Sequence, residues 1–300
     1  MRKYNFYAGP ATLPVAVLEE IRDTIMDYKG MGLSLIETSH RSKEYEEVHN
    51  TAISLFRELI GIPESYKIVF LGGGATLQFA MVPLNFLTPG KSCDIVVSGS
   101  WAEKALSDAK KVGSVKVVFD GGPSKYTTLP KEDSIFSKDA AYVHITSNET
   151  IGGLQWKKWP NTGNVPLIAD MSSDIMSTPL PMEKFGMIYA GAQKNLGPSG
   201  VAVAIIRDDL LSRCPKTLNN YLNYSIHADK NSLYNTPPVF SIYVMMLFLQ
   251  WVKKNGGLTG MAELSNKKAG PIYNAIDTSK GFYTCPVDKE FRSVMNIVFR

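Results

Sequence analysis

Cysteine is scarce in this 300-residue chain: only Cys93, Cys214 and Cys285 occur, far apart and with no Cys-x-x-Cys pair. Neither a zinc site nor the disulfide framework of a small secreted domain is therefore indicated. Charge of one sign is not concentrated either. The 32 Lys and Arg against 28 Asp and Glu leave a net charge of +4 without a basic tract. Nucleic-acid binders gather their basic residues into a patch, so no nucleic-acid partner is expected. Long apolar runs are missing too. The stretch from Val239 to Val252 is broken by Ser241 and Gln250, and it is shorter than the roughly 20 residues a membrane-spanning helix needs. It reads as a buried core helix. The opening Met1-Arg2-Lys3-Tyr4-Asn5-Phe6 has no apolar signal-peptide core. The expectation is a cytoplasmic protein with no membrane partner.

What is present is ordinary globular composition, 44% hydrophobic and 20% charged, which excludes a disordered polymer, a collagen and a coiled coil. The length suggests about two domains. Short apolar runs recur at Ile68-Val69-Phe70-Leu71, Asp94-Ile95-Val96-Val97, Val115 to Phe119, Ala141 to Ile145, Leu167-Ile168-Ala169-Asp170, Met187 to Ala190 and Val201 to Ile206. Runs of this kind suit strands buried on both faces. Between them, Thr76 to Leu87 and Trp101 to Val112 carry helical apolar spacing. The alternation predicts an α/β fold with a mostly parallel sheet and right-handed crossovers. The last two runs are close enough to form a hairpin. A helix over 237–254 follows, then Gly256-Gly257, a helix from about Ala262 to Asp277, and strand-like segments at Tyr283 to Val287 and Val294 to Phe299.

Asp170 ends one apolar run and Lys194 follows another. Strand ends are where open α/β sheets place ligands. A carboxylate and an amine there suit pyridoxal phosphate: the amine condenses with the aldehyde, and the carboxylate keeps the pyridine nitrogen protonated. An Asp and a Lys on neighbouring strand ends are also commonplace without any such role. Gly72-Gly73-Gly74-Ala75-Thr76, between a strand and a helix, reads either as a phosphate cradle or as a plain tight turn. It is neither a Walker loop nor a dinucleotide fingerprint. Trp101 follows the second run and is placed either to stack on a flat ring or to fill the core. Thr150 follows the fourth run, as a ring-side hydroxyl donor or a loop cap.

Further motifs carry a resemblance. Tyr4-Asn5-Phe6-Tyr7-Ala8-Gly9-Pro10-Ala11, Glu37-Thr38-Ser39-His40-Arg41-Ser42, the Gly-Gly-Gly-Ala run at 72–75, Ser147-Asn148-Glu149-Thr150 and Gly191-Ala192-Gln193-Lys194-Asn195 together resemble the phosphoserine aminotransferases. That is a class-V family of the aspartate-aminotransferase-like fold type I. The resemblance implies a large domain over 16–258 and a small α/β domain from 1–15 and 259–300, whose C-terminal part is expected to continue past Arg300. It implies pyridoxal phosphate held by Lys194, Asp170, Trp101, Thr150, Ala75, Thr76 and Gln193. Asn235 and Thr236 would reach the cofactor of the partner subunit in a homodimer, and His40 and Arg41 would bind an acidic substrate. The implied reaction moves an amino group between O-phospho-L-serine and 2-oxoglutarate, giving 3-phosphooxypyruvate and glutamate in serine biosynthesis. It leaves 4-phosphohydroxy-L-threonine, from pyridoxine biosynthesis, open as a further substrate. Two departures stand out: Thr76 where some members carry arginine, and no His-Arg segment before Arg300 to match the family's C-terminal substrate residues. A cysteine desulfurase, an alanine–glyoxylate-type transaminase and an inactive cofactor-binding form remain as alternatives. His49, His144 and His227 gain no role from these motifs.

Overall fold

The structure is a computed structural model and describes residues 2–132 and 135–300. Its strands are β1 (Tyr66–Leu71), β2 (Ser92–Val97), β3 (Ser114–Asp120), β4 (Val143–Thr146), β5 (Asn148–Glu149), β6 (Leu154–Gln155), β7 (Leu167–Asp170), β8 (Phe185–Gly191) and β9 (Ala202–Arg207). The helices are α1 (Val15–Thr24), α2 (Lys43–Ile60), α3 (Gly74–Phe86), α4 (Ser100–Val112), α5 (Ala192–Asn195), α6 (Asp208–Leu211), α7 (Tyr224–Asp229), α8 (Val239–Lys254) and α9 (Gly257–Thr278). Among the described residues, seven strands form one sheet in the order β1-β9-β8-β7-β4-β2-β3. The β2, β3, β4, β7 and β8 pairings are parallel, and β9 runs antiparallel to both of its neighbours. The expected mostly parallel α/β sheet is present, and the expected hairpin is the β8–β9 pair.

Period-two alternation explains why the strands read as unbroken apolar runs. In β1, Ile68 and Phe70 enter one core cluster while Val69 and Leu71 enter the other. In β8, Ile188 and Ala190 face the first cluster and Met187 and Tyr189 the second. Helices α2 and α8 cover the first face; α3 and α4 cover the second. A strand buried on both sides has no polar face to show. Helix α8 is apolar nearly all round because it is buried nearly all round, with Ile242, Met245, Leu249 and Val252 fully enclosed. Among the described residues, no helix is long and apolar enough to cross a membrane.

The C-terminal expectation needs correction. Helix α9 is present and longer than anticipated, but neither 283–287 nor 294–299 forms a strand. Thr284 and Arg300 exchange a pair of backbone N–H···O bonds, each 2.9 Å. Pro286 interrupts the donor series of the first segment. The second segment instead docks on the β5–β6 hairpin: Ser293 N–H donates to the Gly153 carbonyl (2.9 Å), Val294 N–H to Gln155 Oε1 (3.1 Å) and Asn148 Nδ2 to Asn296 Oδ1 (2.8 Å).

Gly153 is the tight point of that contact. Its φ is +71°, and an added Cβ would lie 2.7 Å from Val298 Cγ2 and 2.9 Å from the Asn296 carbonyl oxygen. Gly153→Ala combines a left-handed alanine with overpacking, so it is expected to destabilise the fold by about 2–4 kcal/mol. Denaturant unfolding of the two proteins checks this.

Candidate active site

The parallel strands bring their C-terminal ends to one edge of the sheet. Asp170 is the last residue of β7, and Lys194 lies in α5, directly after β8. Strand β4 ends at Thr146 and leads through β5 to Thr150; β2 ends at Val97 and leads to Trp101 in the first turn of α4. Strand β1 leads through Gly72 and Gly73 into α3, which carries Ala75 and Thr76. Five crossovers therefore converge on one edge, as the ligand rule for open sheets requires. Two contacts fix the centre: Lys194 Nζ donates to Thr150 Oγ1 at 2.6 Å and lies 4.4 Å from the centroid of the Trp101 ring.

Asp170 is buried, and its two oxygens differ. Oδ1 accepts from Ser172 N–H (2.9 Å) and from Ser172 Oγ–H (2.6 Å), whereas Oδ2 has no hydrogen-bond partner among the described residues. Burial pushes its pKa above the ordinary carboxylate value, opposed by the Lys194 charge and the Ser172 bonds. Burial likewise lowers the Lys194 pKa, opposed by the charges of Asp170, Glu149 and Asp174. An acid and a base thus share one desolvated space, each supporting the other's charged form.

Beside them is a backbone cradle. Gly73 and Gly74 take φ values of +79° and +61°, which turn the chain into α3, and the first N–H groups of a helix have no intrahelical acceptor. Gly191 lets two donors come close: a Cβ there would lie 3.3 Å from Gln193 Nε2 and 3.4 Å from the Ala75 nitrogen, and 2.7 Å from Gln193 Oε1. Gln193 and the start of α3 are thus neighbours across a gap that only glycine leaves open. A planar, anionic aldehyde fits this donor set: a phosphate at the α3 N-terminus, an aromatic face at Trp101, a free carboxylate oxygen at Asp170 and an amine at Lys194.

Four further expected site residues have other neighbours. His40 and Thr236 line a groove of about 460 Å³ together with Ile36, Pro237 and Phe240. Asn235 is exposed and donates to the Thr236 carbonyl (2.9 Å), and Arg41 is exposed. No hydrogen bond joins these four to Lys194 or Asp170 among the described residues. Cavity size does not mark the chemistry: a larger cavity, about 540 Å³, is lined by Asn161, Glu183, Lys184 and Arg207. It lies at the N-terminal edge of the parallel strands, opposite the convergence.

Residues 3–300 match the family Aminotransferase class-V. The chain belongs to this family. The phosphoserine aminotransferase of Lysinibacillus sphaericus is 53% identical over 300 residues, covering 100% of this chain and 83% of the relative. The solved phosphoserine aminotransferase from Bacillus circulans subsp. alkalophilus superposes with a TM-score of 0.97 at 51% identity, covering 100% of this chain and 83% of that one. A pyridoxal-phosphate-bound phosphoserine aminotransferase from Trichomonas vaginalis gives 0.94 at 38% identity, covering 99% and 84%.

In this class-V aminotransferase, three residues at the site carry no role in the sequence reading. Ser172 holds Asp170 Oδ1 and also accepts from Gly191 N–H (3.1 Å), tying β7 to β8; its signal is a serine two positions after an aspartate. Gly9 passes so close that a Cβ would lie 3.0 Å from Lys194 Cγ. Glu149 has its carboxylate against the first turn of α4, accepting from Trp101 N–H and Ala102 N–H.

Beneath Asp170 a second carboxylate is buried. Asp174 accepts from Ser147 Oγ–H and from Gln155 Nε2 (3.1 Å). Burial raises its pKa from 3.8 to about 6. The native state therefore holds this proton more tightly than the unfolded chain, and stability drawn from Asp174 falls as pH rises between those two values. The stability of Asp174→Asn relative to wild type is expected to rise over that interval and then level off. Denaturant unfolding across a pH series measures the difference.

Proposed function

We propose that this aminotransferase exchanges the amino group of O-phospho-L-serine with 2-oxoglutarate, yielding 3-phosphooxypyruvate and glutamate, with pyridoxal phosphate as cofactor. One observation carries the reading: Asp170, Lys194, Thr150 and Trp101 are brought by separate crossovers to a single strand-end edge. The relatives named phosphoserine aminotransferase, at about half identity across the whole chain, support the substrate.

Pyridoxal phosphate supplies an aldehyde that takes up amino groups and a ring that accepts the electron pair released at the substrate Cα. The protein's part is binding, orientation and proton handling. Ala75, Thr76 and Gln193 would bind the cofactor phosphate at the α3 N-terminus. Trp101 would cover one ring face, and Thr150 would touch the ring side. Asp170, with Oδ1 held by Ser172, would keep a proton on the ring nitrogen through Oδ2. Lys194 would hold the cofactor and would carry the proton to and from the substrate Cα. Its lowered pKa suits a base that must work near neutrality.

His40 and Arg41 recognise the acidic substrate, the guanidinium offering a two-point fork to carboxylate or phosphate. Among the described residues neither bonds to Lys194 of its own chain, and His40 shares a groove with Thr236; both favour action across a dimer, in which His40, Arg41, Asn235 and Thr236 serve the site of the partner subunit. Tyr4 and Phe6, both 93% exposed, give the N-terminal arm apolar surface for such a partner. The large domain is assigned to 16–258 and the small one to 1–15 with 259–300. A desulfurase is disfavoured, because Cys93 is buried in β2 and burial raises the Cys214 thiol to about 11.

The purified holoenzyme is expected to absorb near the visible edge and Lys194→Ala to lose that band; a colourless wild type would contradict the cofactor assignment. Asp170→Ala is expected to keep the fold while turnover falls by about 10² or more, and near-normal turnover would contradict its role. Arg41→Ala is expected to raise the KM for phosphoserine about tenfold with the band unchanged. Serine should not replace phosphoserine in discharging the band.

A further inference from the structure

We propose that Glu149 is a positioning residue that fixes Trp101 against Lys194, setting the slot into which the cofactor ring fits. The inference rests on the ring-stacking role given to Trp101 above. Glu149 is 1% exposed and spends both oxygens on the segment that carries the indole. Oε2 accepts from Trp101 N–H (3.2 Å), while Oε1 accepts from Ala102 N–H (3.0 Å) and Ser98 Oγ–H (3.4 Å).

Three observations make this more than an ordinary helix cap. The N-cap of α4 is Gly99, which has no side chain to cap with. Glycine is obligatory there because Glu149 occupies the space: an added Cβ would lie 2.5 Å from Glu149 Cδ and 2.6 Å from Oε2. Next, Trp101 Nε1 is buried without a hydrogen-bond partner. The indole is not anchored by its own polar handle, so its placement depends on the backbone N–H that Glu149 accepts and on the ammonium groups of Lys104 (4.3 Å) and Lys194 (4.4 Å). Finally, Thr150, the next residue along, accepts from Lys194 Nζ. Two consecutive residues thus hold the stacking ring and the reactive amine. A helix start needs only a serine or an asparagine. Glu149 is instead a carboxylate whose pKa burial raises to about 7, with Asp170 adding to the rise and Lys194 and the two N–H donors opposing it. Such an arrangement is costly to bury and is explained by what it aligns.

The test is a double-mutant cycle on pyridoxal phosphate affinity, read by spectral titration of the cofactor-free protein, with Glu149→Gln, Trp101→Ala and the double variant. Gln keeps the size but turns an NH2 group toward one of the two backbone donors. Glu149→Gln is expected to weaken binding about tenfold and to reduce the circular dichroism of the bound-cofactor band at saturation. Trp101→Ala is expected to weaken binding by at least as much. The double variant should bind no worse than Trp101→Ala alone, because both act through the same ring. If Glu149→Gln does not fold, Glu149→Asp, one methylene shorter, takes its place in the cycle with the same expectations. Additive losses would mean that Glu149 acts on the fold and not on Trp101, overturning the proposal. Wild-type affinity and dichroism in Glu149→Gln would overturn it while leaving the stacking role intact. Wild-type affinity in Trp101→Ala would overturn both.

Discussion

The site depends on one buried asymmetry. Asp170 sits at the end of β7 with one carboxylate oxygen saturated by Ser172 and the other left without a partner. A buried carboxylate half-satisfied in this way is expensive in a folded protein. It is tolerable because Lys194 shares the same desolvated space and because a ligand carrying a proton can complete it. Lys194 stands in the mirror position: burial lowers its pKa and nearby carboxylates restore it. Each group is poised by the other, and neither is paired so closely that it is lost to chemistry.

The fold produces that arrangement by topology. Parallel strands send every crossover to the same edge, so residues distant in sequence arrive together. The antiparallel β9 takes no part in this delivery; its C-terminal Arg207 instead lines the cavity at the opposite edge. The β5–β6 hairpin joins the site to the C-terminal segment, since Thr150 lies in its turn and Ser293, Val294 and Asn296 bond to its residues. Thr150 in turn accepts from Lys194 Nζ, so the C-terminal segment is linked to that amine through the hairpin.

Much of this was legible in the sequence because the signals were local. Strands buried on both faces show as apolar runs, and Asp170 and Lys194 stood out as charged residues at the ends of two of them. The glycine run before α3 announced a turn into a helix. Glu149 was not legible in the same way. Its meaning lies in what it touches across the fold, the first turn of α4, and nothing in Ser147-Asn148-Glu149-Thr150 says which helix that is. Ser172 escaped for a similar reason: its link to Gly191 joins two strands. The segments at 283–287 and 294–299 misled because β-type residues form strands only where a neighbouring edge is free to pair, and here the second segment is engaged by side chains and turn carbonyls. His40 and Arg41 are legible only through a motif, and among the described residues neither bonds to Lys194 of its own chain.

Asp170 is proposed to hold a proton on the nitrogen of a ring whose other end Lys194 would bind. Nitrogen-15 NMR of the enzyme reconstituted with ring-labelled pyridoxal phosphate measures that proton directly. The ring nitrogen is expected to be protonated in the resting enzyme and unprotonated in Asp170→Asn. An unprotonated nitrogen in the wild type, or a shift indifferent to that substitution, would contradict it.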